Sequence, residues 1–403
     1  MTRTLSQFLR TIVSGVILIV GGNAFADGQR LVVENAGEAL GETPVVVPYA
    51  GKAAIGRYRL VPENGGPATV AEVVESHGER SIAALFPSVP KGKTSFSLEG
   101  PAASSEASPV KFVKQGANLE IRVGDKPFTT YAVDLGPKPI LFPLYGPGGE
   151  RVSRSFPIES VEGEKRDHPH HRSFWFTHGK VNGVDFWSEE KGHGSIKETS
   201  REVVSLGQVG GMLKTTDAWI GPDGVKVCDD ERVLRIYASQ DDRVFDFDVT
   251  LKATEGPVLL GDTKEGTFGI RLASSMDAKP PGTGKIVNAE GLTNTDTWGK
   301  RSRWVDYSGP VGDKTVGIAI LDHPTSHGHP TPWHVRDYGL FAANPFGLRD
   351  FGEKTSGDVT IPKGGELHFR YRIILHQGDA ASASLEDRYR GFASPPVMTL
   401  EAK

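Results

Sequence analysis

Short runs in which apolar and polar residues alternate dominate the first part of the chain. The segments LVVENAG, VVVPYAG, RYRLVPE, ATVAEVVES, SIAALFPSV and TSFSLEG are each of strand length, rich in Val, Ile and Phe, and separated by Gly, Pro or Asn. These six strands predict a small Ig-like β-sandwich over residues 27–100. PAASSEASP, at 101–109, is small, polar and bounded by proline, which predicts a linker.

The alternating pattern continues after the linker and predicts a second, larger β domain over residues 110–403. Two alternating runs flank Gly124-Asp125, which is typical of a β-hairpin. In RVFDFDVTLK, Phe245 and Phe247 share one face and acidic residues the other, as in a half-buried antiparallel strand. Helical signals are sparse. The predicted fold class is therefore all-β, with the second domain a large antiparallel β-supersandwich that carries the site.

The first 26 residues are typical of an export signal. Arg3 and Arg10 precede the apolar run TIVSGVILIV, and Ala24-Phe25-Ala26 offers a small-x-small cleavage site. A signal peptide over residues 1–26 predicts a periplasmic or secreted protein. The apolar run is shorter than the ~20 residues that a bilayer span needs, so no membrane span is predicted.

Composition excludes further classes of protein. A net charge of -4 without any basic run argues against a nucleic-acid partner. The single cysteine, Cys228, rules out an intramolecular disulfide. Nothing in the sequence indicates the oligomeric state.

Histidine is concentrated in two segments of the second domain. DHPHHR begins at Asp167 and runs on through SFWFTHGKVNGVDFW, and DHPTSHGHPTPWH begins at Asp322. Extended to His193, these segments hold nine of the twelve histidines. Histidines that merely fill a core would be more scattered, so the clustering predicts a functional site.

General acid–base chemistry is the leading interpretation of these histidines, because imidazole titrates near neutral pH and a nearby carboxylate can orient it or act as its partner. An extended DHPHHR places His168 and His170 on one face and turns His171 away. In KEGTFGIR the same period places Glu265 and Arg271 on one face, with only small side chains between them and room for a ligand. The predicted catalytic residues are His168, His170, His178, Glu265 and His327.

Arginine, carboxylate and aromatic side chains supply the predicted binding groups. A guanidinium binds an oxyanion or a sugar-acid carboxylate through two hydrogen bonds, and an aromatic ring packs on the apolar face of a sugar. The proline-rich loop that begins at Asp322 is expected to cover a pocket floored by residues 168–187. Surface ion pairs and core tryptophans are the structural alternatives. The predicted substrate-binding residues are Arg172, Asp185, Arg271, Trp333 and His334.

A metal centre is an alternative use of the same histidines, since neutral imidazoles suit Zn, Fe, Ni or Cu. At most two of the three histidines of an extended DHPHHR can ligate one ion, so His178 or the 323–334 group would have to supply the rest. No cofactor is expected and no metal ligands are assigned, although a divalent metal stays an alternative.

Three stretches carry a resemblance to a known family: YGPGGERVSRSFP, EGEKRDHPHHRSFWFTHGKVNGVDFW and KEGTFGIR. They resemble the PmoA-like family of exported bacterial proteins, common in polysaccharide-degrading bacteria, and the similarity covers most of residues 110–395. The second domain is also similar, more weakly, to the galactose mutarotase type of β-supersandwich. That likeness implies a histidine and a carboxylate that move protons on a sugar.

The sequence thus predicts an exported carbohydrate-active enzyme that acts on a sugar or glycoside by His/carboxylate proton transfer, through hydrolysis, elimination or epimerisation. Its expected partner is a small carbohydrate or an oligosaccharide. A metal-dependent hydrolase or oxygenase that uses the histidine clusters is one alternative. A non-catalytic carbohydrate-binding protein that uses the tryptophans is the other.

Overall fold

Antiparallel strands form most of the chain in the computed structural model, which describes residues 29–49, 53–76, 78–102 and 108–402. These strands pair into one seven-stranded sheet, two eight-stranded sheets and one two-stranded sheet. The predicted all-β class is confirmed. The predicted signal peptide lies outside the described residues, as do positions 103–107 of the predicted linker.

Twenty-five strands follow one another along the described residues. The first group is β1 (Gln29–Asn35), β2 (Thr43–Pro48), β3 (Gly56–Pro62), β4 (Thr69–Ser76), β5 (Glu79–Phe86) and β6 (Gly92–Ala102). The second group is β7 (Val110–Gln115), β8 (Asn118–Val123), β9 (Lys126–Ala132), β10 (Ile140–Leu141), β11 (Phe174–His178), β12 (Ser195–Ser205), β13 (Gly210–Ile220), β14 (Lys226–Tyr237) and β15 (Arg243–Lys252). The third group is β16 (Val258–Leu260), β17 (Gly266–Arg271), β18 (Lys285–Asn288), β19 (Trp304–Val311), β20 (Lys314–Asp322), β21 (Trp333–Val335), β22 (Leu340–Ala343), β23 (Val359–Ile361), β24 (Glu366–Gln377) and β25 (Val397–Ala402).

Helical structure in the described residues is limited to three short pieces. These are α1 (Leu385–Ala393) and two 3-10 turns, Ser274–Met276 and Asn294–Thr297. No described helix combines the length and the apolar character that crossing a membrane would need.

The N-terminal sheet, with strand order β2-β5-β4-β3-β6-β1-β25, folds over on itself. Phe86 of β5 and Phe96 of β6 are three strand spacings apart along the sheet, which would be ~14 Å if it were flat. Their ring centroids lie only 6.0 Å apart. The fold encloses an apolar core that includes Tyr58 and Leu60, both fully buried. Each of the six strand segments predicted here falls on an observed strand.

The last strand of the chain returns to this first sheet. β25 pairs antiparallel with β1, in a register that runs from Gln29 opposite Ala402 to Glu34 opposite Val397. Residues 397–402 therefore belong to the N-terminal sheet and not to the predicted 110–403 domain. The division into two domains otherwise stays a prediction.

Two eight-stranded sheets pack face to face in the second part of the chain. Their orders are β21-β22-β17-β11-β10-β9-β8-β7 and β12-β13-β14-β15-β24-β20-β19-β18. Phe174 of β11 lies 5.0 Å from Phe247 of β15, and Phe268 of β17 lies 5.0 Å from Tyr371 of β24, measured between ring centroids. These contacts join the inner faces into one apolar core, as expected for a β-sandwich.

Local patterns within this sandwich were predictable. β8 and β9 form the hairpin expected at Gly124-Asp125. RVFDFDVTLK forms β15, with Phe245 and Phe247 buried. The polar face of β15 is less exposed than its pattern indicates, because Asp246 is buried and accepts two hydrogen bonds from the Arg372 guanidinium.

Candidate functional site

A cleft of about 410 Å³ opens on the outer face of the sheet that contains β11, β17 and β22. Its volume falls in the range of about 300–1,000 Å³ typical of small-molecule sites. Alternate residues of these strands point to the inner core and to the cleft side: Phe341 belongs to the inner core, whereas Leu340 lines the cleft. Four chain segments supply the walls, at 168–171, 187–190, 264–265 and 334–340.

Four stacked rings, here termed the ring column, extend from the cleft into the protein in the order Tyr338, His168, His171 and Trp175, and the first three line the cleft. Successive ring centroids lie 5.3, 4.8 and 5.3 Å apart, and the rings are within 15° of parallel. His171 and Trp175 are buried, whereas the His168 side chain is 41% exposed at the rim. The column makes a flat, rigid surface from side chains that are distant in sequence.

Asp167 anchors the base of the ring column. Its Oδ1 accepts hydrogen bonds from Arg154 at 2.5 Å and from Arg271 at 2.7 Å, and both guanidiniums are buried. Arg271 also donates to His171 Nδ1 at 2.9 Å. Because a guanidinium has no acceptor, Nδ1 must carry a lone pair and the proton of His171 must lie on Nε2. Burial, and then the charge of Arg271, hold the pKa of His171 well below its usual range.

Three groups in the cleft, His170, His334 and Glu265, are placed to contact a ligand. Neither ring nitrogen of His170 has a hydrogen-bond partner among the described residues. His334 donates its Nδ1 hydrogen to the Lys264 carbonyl at 2.7 Å, which leaves the Nε2 lone pair available. The Glu265 side chain is 34% exposed and lies 3.0 Å from the Lys264 ammonium.

The rings of His170 and His334 are uncharged at neutral pH. Burial lowers the pKa of His170 to about 4; Lys138 lowers it further, and Glu265 opposes the shift. Burial also lowers the pKa of His334, and again Glu265 acts in the opposite direction. Both rings therefore keep a lone pair that can accept a hydrogen bond near neutral pH.

A tight turn between β21 and β22 presents Arg336 and Tyr338 to the cleft. The Arg336 N–H donates to the Leu340 carbonyl at 2.7 Å, and Gly339 closes the turn at a φ of 90°, which favours glycine. The Tyr338 hydroxyl has no hydrogen-bond partner among the described residues. Burial raises the pKa of Tyr338, so the phenol keeps its proton and acts as a donor.

Several predicted site residues meet in this cleft: His168, His170, Glu265 and His334 all line it. Arg271 lies directly behind it, bonded to His171. The expected extended conformation of DHPHHR is wrong, because His168 has a φ of 45° and the His171 N–H donates to the His168 carbonyl at 3.0 Å. This turn brings His171 back onto His168.

Two of the predicted catalytic histidines, His178 and His327, do not line this cleft, and their catalytic role stays a prediction. His178 is fully buried and donates its Nε2 hydrogen to the Gly261 carbonyl at 2.8 Å, and burial lowers its pKa to about 4. His327 stacks on Phe346 with ring centroids 5.5 Å apart. Both side chains pack within the sandwich.

Three predicted binding residues are also engaged within the protein. Trp333 is fully buried in the inner core, and its indole N–H donates to a backbone carbonyl at 2.9 Å, so it offers no sugar platform. Arg172 donates to both carboxylate oxygens of Glu189. Asp185 accepts the backbone N–H groups of residues 187 and 188.

The proline-rich loop does not cover the cleft as expected. Asp322 holds it closed by accepting from the Thr331 N–H at 3.0 Å and from His329 Nδ1 at 2.9 Å. His323 packs edge-on against Phe392 of α1, with ring centroids 4.9 Å apart. The loop is thus folded against α1, and its segment reaches the cleft only at His334, on β21.

KEGTFGIR forms β17 with the predicted alternation, but the expected ligand space along it is filled. Phe268 and Ile270 are fully buried in the inner core, whereas Gly269 lies under the Trp175 ring. A Cβ at Gly269 would come within 2.6 Å of that ring. Trp175 therefore occupies the room, and the open cleft lies farther along, beside Glu265.

Sequence reasoning missed Arg336, Tyr338 and Lys264. The signal lies in HVRDYG, where His334, Arg336 and Tyr338 alternate immediately before a glycine turn. Such alternation places the three side chains on one side of a hairpin tip. Lys264 directly precedes Glu265 at the start of KEGTFGIR.

A divalent cation does not fit the DHPHHR cluster well. His171 Nδ1 already accepts from Arg271, and two buried guanidiniums lie under the cluster. Within the part of the chain that the structure describes, no group of three or more His, Cys, Asp or Glu side chains is arranged to hold a metal ion.

The fold and the cleft define a two-sheet antiparallel β-sandwich with a polar, aromatic-walled site on one outer face. The chain belongs to DUF6807, a family of unknown function, whose model matches residues 118–390. No curated protein matches the sequence. The PmoA-like resemblance is not shown by these comparisons and stays a prediction.

Two of the solved structures to which the chain is similar are glycosidases. An alpha-mannosidase from Enterococcus faecalis V583 shares 11% identity at a TM-score of 0.43, over 95% of this chain and 47% of that one. An alpha-galactosidase from Lactobacillus brevis shares 10% identity at a TM-score of 0.30, over 87% of this chain and 42% of that one. This chain thus spans about half the length of either solved protein, 47% and 42%.

Proposed function

We propose that the protein is an exported carbohydrate-active enzyme that moves protons on a sugar or glycoside bound in the cleft. The observation that carries this proposal is the convergence of His170, Glu265 and His334 on one open cavity. Charged and polar side chains that are buried normally find partners within the protein. An imidazole without a partner, beside a carboxylate in a cleft, is what a proton-transfer site requires.

The walls suit a sugar because they combine aromatic surface with hydrogen-bonding groups. Tyr338 lines the cavity with a half-buried ring that can pack on the apolar C–H face of a pyranose. Ser188 and Glu190 on the facing segment can bond to hydroxyl groups. A ligand held between these two sides would lie over His170.

The roles follow from the protonation states. The uncharged imidazole of His170 accepts a proton from the substrate, and Glu265 stabilises the imidazolium that forms. The Tyr338 phenol, which keeps its proton at neutral pH, is the donor on the other side. Hydrolysis, elimination and epimerisation all need such an acceptor and donor, and a positioned pair contributes about 10²–10⁴-fold to the rate.

His170→Asn tests this proposal once a screen of glycosides and oligosaccharides has identified a substrate. We expect turnover to fall by about 10²–10⁴-fold with an unchanged thermal transition, because the ring has no structural hydrogen bond to lose. His368→Asn is the matched control, since that side chain is 57% exposed and lies outside the cleft. Full activity in His170→Asn would contradict the proposal.

The two alternatives give different results in the same assays. A metal-dependent enzyme would lose turnover with a chelator and regain it with a divalent metal. A non-catalytic binding protein would bind a sugar measurably and release it unchanged.

A further inference from the structure

The geometry points to a substrate that carries a carboxylate, such as a uronic acid, with Arg336 as the residue that binds this group. The inference rests on the proposed function, since it names the class of sugar that the same cleft takes. Arg336 lines the cavity together with His170 and Glu265.

Arg336 has an unused guanidinium. Among the residues that the structure describes, no carboxylate forms an ion pair with it and its side chain donates no hydrogen bond. The arginines next to the cleft differ: Arg154 and Arg271 share Asp167, and Arg172 is bound by Glu189. A cation that lines a cavity without a partner is therefore a candidate for binding an anionic ligand.

Two aromatic rings hold the Arg336 guanidinium in place. Its Cζ lies 5.4 Å from the centre of the Trp298 ring and 5.7 Å from that of Tyr338. Cation–π contacts of this kind fix the guanidinium and leave its N–H donors free. Its planar fork then matches the two oxygens of a carboxylate.

The neighbouring charges favour a single negative charge on the ligand. The Lys264 ammonium is already paired with Glu265 at 3.0 Å. Among the described residues that line the cleft, Arg336 is therefore the cation that has no carboxylate partner. Glu190 and Glu265 line the same cavity and would repel a doubly charged group such as a phosphate monoester. A sugar carboxylate can pair with Arg336 and, because it carries only one negative charge, is repelled less by the two glutamates.

Calorimetric titration of the full chain with paired sugars tests this inference: D-galacturonate against D-galactose, and D-glucuronate against D-glucose. We expect the acid of each pair to bind about 10- to 100-fold more tightly, the usual effect of one charged hydrogen-bonded contact. Arg336→Gln should remove this preference, so that the acid and the neutral sugar of each pair bind within about twofold of each other. Arg336→Lys keeps the positive charge but loses the planar guanidinium that can donate two hydrogen bonds, so it should retain part of the preference for the acid.

Arg59→Gln is the control for the loss of one positive charge, because its side chain is 63% exposed in the N-terminal sheet. Equal affinity for acid and neutral sugars, or an unchanged preference in Arg336→Gln, would overturn the inference and leave the proposed function standing. Inorganic sulfate that displaces the uronate at equal concentration would also overturn it, since the site would then be a general anion site. If no sugar of either kind binds or reacts, the proposed function itself fails.

Discussion

At the scale of single residues, Asp167 determines the shape of the site. One carboxylate oxygen accepts from two buried guanidiniums, and one of these fixes the tautomer of His171. The position of the ring column depends on these hydrogen bonds. A residue that touches no part of the open cavity thus positions the side chains that do.

Asp167→Asn should destabilise the protein by about 2–3 kcal/mol, because it leaves Arg154 and Arg271 buried without a counter-charge. The value is below that of a fully buried pair, since Asp167 is 39% exposed. Chemical denaturation measures the effect. Asp125→Asn, whose side chain is 98% exposed, is the control and should change little. Equal stability of the two variants would show that Asp167 is not an anchor.

Buried neutral histidines make stability depend on pH. Burial lowers the pKa values of His170 and His178 to about 4, from the usual value of 6.5. The folded state therefore binds fewer protons than the unfolded state, so this stabilisation is complete above pH 6.5 and is lost as the pH falls towards 4. His376, whose pKa is raised chiefly by Asp306 against its burial, acts in the opposite direction.

We expect the free energy of unfolding to decrease steadily from pH 6.5 to pH 4, and His178→Gln to flatten that slope. Urea titrations at half-unit pH steps provide the measurement. A constant free energy of unfolding over this interval would contradict the assignment of neutral, buried rings.

At the scale of elements, β17 connects the core to the cleft. Its inner residues pack in the sandwich, and Gly269 lets the Trp175 ring lie flat against the strand on the other side. Glu265 directly precedes the strand and Arg271 ends it. The strand therefore sets the positions of the carboxylate and of the guanidinium that supports His171.

Gly269→Ala should destabilise the protein by about 1–3 kcal/mol, the usual cost of forcing an extra methyl into a packed site. The added Cβ would meet the Trp175 ring at 2.6 Å and displace the ring column. Gly256→Ala is the control, since a Cβ there meets nothing within 4 Å. Thermal melts that shift equally in both variants would contradict this role of Gly269.

Strands and hairpins could be predicted from the sequence because their side-chain period is local. β15 and the Gly124-Asp125 hairpin are examples. The turn at DHPHHR could not, since the φ of 45° at His168 accompanies contacts with Arg271 and Tyr338, far away in the chain. The sequence places His170 and Glu265 in one pocket, as observed, but through an alternation that the turn at His168 breaks. Tyr338 could not be foreseen as part of the column, because it is far from DHPHHR in the chain.

At the scale of the whole molecule, the first and last strands of the described residues are paired in one sheet. β1 lies between β6 and β25, so the first sheet is complete only with residues 397–402. The backbone N–H of Gln208, in the second part of the chain, also donates to Glu72 of β4 at 3.0 Å. The N-terminal sheet is therefore joined to the sandwich through β25 and through this hydrogen bond.

Proteolysis in the predicted linker should cut the chain without separating the pieces. We expect one peak in gel filtration, with two bands under denaturing conditions, because β25 of the larger fragment still pairs with β1. Deletion of residues 397–403 should release the smaller fragment or unfold it. Separation of the fragments with β25 intact would contradict the pairing.

The central claim, that the cleft beside His170 is the sugar site, is tested most directly by a crystal structure of the protein soaked with a carbohydrate ligand. We predict density for the sugar between Tyr338 and Ser188, with polar atoms within hydrogen-bond distance, about 3 Å, of His170 and Glu265. Ligand density only in another cavity, such as the one of about 350 Å³ lined by Ser200 and Lys214, would contradict the claim.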